Sequence, residues 1–129
     1  MMRSSVLVTA MAALLAALAS GCATPEQAAA NDAAIASRID EAMNAQFRCG
    51  FASLPQVDDG ISDAQSVALA LSMSCGNEYQ AATEAFAAKL ENDRQRAMFS
   101  ERRERAGTRI ENFLPIVMRY RATVRKPAK

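Results

Sequence analysis

Apolar side chains recur at every fourth position from Ile35 through Ile39 and Met43 to Phe47. That period places them on one face of a helix, predicted from about residue 32 to Arg48. Residues 50–60, with Pro55 and the run Asp58-Asp59-Gly60, predict a loop. Its acidic residues lack the spacing of a calcium-binding EF-hand. Ser62-Asp63-Ala64-Gln65 then fits a capping box, in which the Ser62 hydroxyl accepts from the Gln65 amide and Asp63 favours the positive end of the helix dipole. A second helix is expected from there. Val67, Leu71 and Cys75 share one face, continued by Tyr79, Ala82, Phe86 and Leu90. Gly76 within it costs about 1 kcal/mol of helix propensity but permits close backbone approach.

From Glu91 to Gly107 the chain is strongly charged, with Glu91–Arg94, Asp93–Arg96 and Glu101–Arg105 at helical spacing. Ile110, Phe113, Leu114, Val117 and Met118 follow as an amphipathic set. Two signals conflict at Gly107. Gly107 before Thr108-Arg109-Ile110-Glu111 looks like a helix end and a fresh cap. Yet Phe99, Ala106, Ile110, Phe113 and Val117 hold one helical phase across it, which favours a continuous second helix to about Arg121, bent near Pro115. The expected fold is therefore all-α: a helical hairpin with a short first helix and a long, kinked second one. The alternative is a three-helix bundle with the last segment folded back. In the hairpin, Phe99, Ile110, Phe113, Leu114, Val117 and Met118 have no partner within the chain and form a candidate interface, for a second copy or another envelope protein.

The first residues carry a different pattern. One basic residue, Arg3, precedes an almost wholly apolar run from Val6 to Ala19, which ends at Gly21-Cys22. A basic start, a short apolar core and a small-residue exit form a secretory signal, and the run is shorter than the ~20 residues a membrane-crossing helix needs. The exit Leu18-Ala19-Ser20-Gly21-Cys22 resembles the lipobox of bacterial lipoproteins, with Ala19 where that family usually carries leucine. The resemblance implies cleavage before Cys22 and acylation of Cys22, and so attachment to a membrane. Two or three acyl chains hold stably where one is marginal, at about 0.8 kcal/mol per buried CH₂. Alanine at position 23, where the family's inner-membrane retention signal is usually aspartate, points to the outer membrane, facing the periplasm. The expected organisation is a signal over residues 1–21, a tether over 22–31, a helical domain over 32–122 and a basic tail over 123–129. Beyond the lipobox, the body resembles only small proteobacterial envelope proteins, a likeness that implies no mechanism.

Lipidation of Cys22 leaves Cys49 and Cys75 as an even pair in an oxidising compartment, which predicts one disulfide. In the chain-entropy picture its loop contributes about 3–4 kcal/mol. The disulfide also sets a register. With the two helices antiparallel and Cys49 opposite Cys75, Phe47 falls near Tyr79, Met43 near Ala82, Ile39 near Phe86 and Ile35 near Leu90. Alanine makes up about a fifth of the chain, and histidine and tryptophan are absent, which favours thinly packed helices.

The net charge of +1 conceals a division. From Cys22 to Leu90 nine acidic residues face three basic ones, whereas from Glu91 onward eleven basic residues face five acidic ones. Arg119, Arg121, Arg125, Lys126 and Lys129 form a candidate basic contact for anionic lipid, cell-wall polymer or an acidic partner. Nucleic acid is excluded as a partner by the export signal. The closing lysine loosely resembles the major outer-membrane lipoprotein, whose terminal lysine joins peptidoglycan, and this implies wall attachment as an alternative. No cofactor is indicated. Two thiols without histidine fall short of a metal site and lack a base for nucleophilic catalysis. Glu78 and Glu84 point to different helix faces. The composition thus favours a non-enzymatic structural or interaction module over an enzyme.

Overall fold

The computed structural model describes residues 21–124. The predicted signal segment and the tail from Arg125 lie outside them. By contacts the chain divides into two units between Asn31 and Asp32. Among the described residues there are five helices: α1 (Pro25–Val57), α2 (Ala64–Ser74), α3 (Gly76–Ala87), α4 (Asp93–Glu104) and α5 (Ala106–Val124). The all-α expectation holds. The long uninterrupted second helix does not, because its span is divided into four.

The first helix is longer than its apolar period indicated, at both ends. It begins in the stretch read as a tether, where Thr24-Pro25-Glu26-Gln27 is a reciprocal cap. The Thr24 hydroxyl accepts from the Gln27 amide at 3.2 Å, and the Gln27 side chain accepts from the Thr24 amide at 2.9 Å. Proline at the first helical position loses no hydrogen bond, and Glu26 suits the dipole. At the other end the helix runs on through Gly50 and Pro55, the residues that predicted a loop. Pro55 removes one backbone bond. However, Leu54 beside it is completely buried in the core, and packing of this kind outweighs local propensity. Gly50 serves packing as well. A Cβ there would lie 3.0 Å from Cγ2 and 3.2 Å from Cδ1 of Ile116 on α5.

The turn is confined to residues 58–63 and is held by aspartates. Asp58 accepts from the Gly60 amide, and Gly60 has a φ of 79°. Asp59 accepts from the amides of Ile61 and Ser62 and from the Ser62 hydroxyl. These bonds hold its carboxyl below the usual range. Asp63, rather than Ser62, is the N-cap of α2, accepting from the amides of Gln65 and Ser66. The predicted box was placed one residue early because a shorter route exists: the Asp63 carboxylate reaches both orphan amides itself.

The second span breaks at Cys75, which has φ −106° and ψ 36° and separates α2 from α3. It turns again over residues 88–92. Asn92 caps α4 by accepting from the Gln95 amide at 2.9 Å. The third break is at Arg105, whose ψ of 137° is extended, so α5 begins before Gly107 and the Thr108 cap is not used. Of the three expected ion pairs along the charged stretch, Asp93–Arg96 and Glu101–Arg105 form at 3.0 and 3.7 Å. Both are solvated and contribute little.

α5 folds back antiparallel along α2, with Arg109 reaching the Ser72 carbonyl at one end and Arg121 the Ser62 carbonyl at the other. The core is built by Leu54, Val67, Leu71, Tyr79, Phe113 and Val117, with Ala68, Cys75 and Ile116 between them. The stripe expected to lack a partner is therefore largely internal. Phe113 and Val117 are fully buried, Ile110 and Leu114 pack against the core, Phe99 is half-buried and Met118 is exposed. An interface through this stripe would require opening the core.

Gly50→Val should overpack the α1–α5 contact and lower stability by about 1–3 kcal/mol. Gly107→Ala, where a Cβ meets nothing within 4 Å, should change it by a few tenths of a kcal/mol. Urea denaturation followed by far-UV circular dichroism distinguishes the two.

Candidate functional site

The Cys49–Cys75 disulfide is present, with Cα atoms 5.9 Å apart. Cys75 is fully buried, and the Ser53 hydroxyl lies 3.9 Å from the Cys49 sulfur and 3.8 Å from the Cys75 sulfur. Glu78 brings a carboxylate within 4.8 Å of both sulfurs. These are bonded to each other and offer no thiolate to a cation. Beyond the disulfide, a cleft lined by residues 38–45 of α1 and 81–85 of α3 agrees with the antiparallel register expected for the two segments. Ile35 and Ile39 are buried, as are Ala82 and Ala87. Phe47, however, packs on Phe51 at 5.0 Å between centroids and lies beneath Arg119 of α5. Tyr79 instead meets Phe113 at 5.8 Å. The return of α5 provides a third surface, from which Arg119 covers Phe47 and Phe113 meets Tyr79.

Tyr79 organises a buried polar cluster that the apolar pattern concealed. Its hydroxyl donates to the Arg103 carbonyl at 2.7 Å. The Arg103 guanidinium lies over the Tyr79 ring at 4.2 Å, and that of Arg109 lies 4.8 Å from the same centroid. Arg103 Nε donates to the Thr83 hydroxyl at 3.0 Å, and Nη1 donates to Asn112 Oδ1 at 2.6 Å. Thr83 donates in turn to the Tyr79 carbonyl, and Asn112 to the Thr108 carbonyl. Arg103 is 6% exposed, and among the described residues no carboxylate lies within ion-pairing distance of it. Burial lowers its pKa and raises that of Tyr79, the latter opposed by the two nearby guanidinium groups. Arg109 is neutralised by Glu104 at 2.6 Å. Within the charged stretch, nothing in the sequence marked Arg103 as the inward residue. The helical spacing to Phe99 that could have done so was attributed to the apolar stripe.

At the far end of α5, Arg121 donates from Nε and Nη2 to the two carboxylate oxygens of Asp58 at 2.8 and 2.7 Å, and from Nη2 to the Ser62 carbonyl. The Asp58 side chain is 3% exposed and that of Arg121 is 19% exposed. Hydrogen bonding to Asp58 raises the Arg121 pKa. Arg121, expected to contact an external anion, is thus committed to an internal one. Arg119 is exposed. Arg125, Lys126 and Lys129 lie outside the described residues. Cys22 is an exposed free cysteine, and among the described residues no helix is long and apolar enough to cross a membrane.

Two surface clefts adjoin this framework. One, of about 400 Å³, lies between α1 and α3 and is lined by Ala42, Ala45, Ala81 and Ala85 together with Arg38, Glu41 and Glu84. The other, of about 290 Å³, lies between α1 and α5. Its apolar surface comes from Met43, Phe47, Pro115 and Ile116. Gln46 and Asn112 supply polar groups, and Arg119 supplies a positive charge.

No family model, curated protein or solved structure matches the chain.

Removing the Tyr79 hydroxyl leaves the Arg103 carbonyl without this donor. Tyr79→Phe should therefore destabilise the fold by about 1–3 kcal/mol. The pH dependence has a definite sign. With its folded pKa above the unfolded value near 10, Tyr79 contributes stability that is full below pH ~10 and lost as pH rises beyond it. The gap between wild type and Tyr79→Phe should narrow across that range in urea titrations at stepped pH. Arg121→Ala should cost about 1–3 kcal/mol by removing the two charge-assisted bonds to Asp58, which keeps the Gly60 amide, with Arg121→Lys restoring only part because an ammonium cannot form the paired contact.

Proposed function

We propose that this protein is a lipid-anchored module of the bacterial cell envelope, attached through Cys22 and acting as a non-enzymatic structural or interaction component. The observation that carries the reading is the division of labour among three cysteines. Cys49 and Cys75 are bonded to each other inside the helical body, whereas Cys22 is free and exposed at the end of the apolar run and small-residue exit. A disulfide of this kind suits a compartment outside the cytoplasm, in agreement with a secretory signal. The polar interior also supports a structural role. Tyr79, Thr83, Arg103 and Asn112 bond to one another and to the backbone, so their chemistry is used in holding helices together. Alanine rather than aspartate at position 23 favours the outer membrane on its periplasmic side as the location.

Expression of the full-length chain in a bacterial host with radiolabelled palmitate tests the proposal. The wild-type protein should incorporate label and sediment with membranes. Cys22→Ala should incorporate none and lose its membrane association. Unlabelled wild-type protein, or a labelled Cys22→Ala variant, would overturn the reading.

A further inference from the structure

The α1–α5 cleft joins three features. The first is an unused buried acceptor. Gln46 is 1% exposed, lines the cleft, and its Oε1 is buried with no hydrogen-bond partner among the described residues. Buried polar atoms are nearly always satisfied, so this oxygen calls for a donor. The second is positive charge without a compensating acid in the wall. Arg119 lines the cleft, with its guanidinium carbon 5.3 Å from the Phe47 centroid. Behind the wall, the buried Arg103 cation donates to Asn112 at 2.6 Å. Its Nη2 is itself buried and unpartnered. None of the lining residues is acidic. The third is an apolar surface, contributed by Met43, Phe47, Pro115 and Ile116.

The geometry points to a binding site for a small organic anion with an apolar body and one hydroxyl or amine donor. The acid group pairs with Arg119, the body lies against Phe47 and Ile116, and the donor satisfies Gln46 Oε1. The cleft's volume of about 290 Å³ lies at the low end of ligand pockets, which selects a molecule well below drug size. Preference for an anion follows from charge complementarity. Preference for a donor follows from the cost of leaving a buried acceptor unpaired. The site is independent of the lipid anchor.

The test uses the full-length chain in phospholipid nanodiscs, with calorimetric titration and empty discs subtracted. The probe is 4-hydroxyphenylacetate, with phenylacetate lacking the donor and 2-(4-hydroxyphenyl)ethanol lacking the charge. The probe should bind saturably, one per chain, and each control should bind about tenfold more weakly or worse. Arg119→Gln and Gln46→Met should each weaken the probe by a similar factor. Arg119 is exposed, so its variant should keep the wild-type far-UV spectrum and decides the matter even where Gln46→Met fails to fold. Absence of saturable binding by the probe, equal binding of the uncharged control, or an unchanged Kd in Arg119→Gln would overturn the assignment.

Discussion

The Cys49–Cys75 bond lies where α1 meets the joint between α2 and α3, and much of the remaining structure is arranged around that point. Cys75 is the C-cap of α2 and the N-cap of α3. Its amide still bonds to the Leu71 carbonyl, and its carbonyl accepts from Tyr79. The break therefore redirects the chain while each side keeps its last turn. Four residues later the chain reaches Tyr79, and on the other helix Gly50 and Leu54 follow Cys49. These flanking residues are the ones α5 packs upon, through Phe113, Ile116 and Val117. A crosslink here limits the conformations of the unfolded chain and sets the register in which the later helices dock.

A second constraint is the buried arginine. Removing a guanidinium from water without a neighbouring carboxylate is costly. In this fold the cost is distributed: a ring face from Tyr79, a hydroxyl from Thr83 and an amide oxygen from Asn112. Each comes from a helix that must be in place for the charge to be tolerated, so α3, α4 and α5 are mutually dependent. At the opposite end of α5 the Arg121–Asp58 pair performs a similar task with a full opposite charge. α5 is consequently pinned at both ends, and its apolar face is closed over α2.

That closure relocates the accessible chemistry. A cleft beside α5 brings together an exposed cation, an amide oxygen without a hydrogen-bond partner and an apolar wall. With its apolar stripe largely internal, the helical body presents such a cleft rather than a broad apolar interface.

The helical class, the cysteine pairing and the alternation of acidic and basic segments follow from residue types and their spacing, which are local properties. The four-residue period from Ile35 to Phe47 and the start of a helix just after Ser62-Asp63 were legible for that reason, and the Thr24-Pro25-Glu26-Gln27 cap was equally available. The course of the chain beyond Cys75 was not. Continuous phase across Gly107 favoured one long helix, yet a sequence can keep phase through an extended residue such as Arg105. Gly50 and Pro55 read as a loop because their local preference is unfavourable to helix, but Leu54 and the close approach of Ile116 outweigh it. Arg103 and Arg121 looked like the other surface cations until distant partners enclosed them. The sequence by itself determined the all-helical class and which cysteines pair. Only the tertiary structure decided where those helices stop, which charges turn inward and which apolar face is covered. Those outcomes depend on contacts between residues far apart in the chain, whose energies exceed any single local preference.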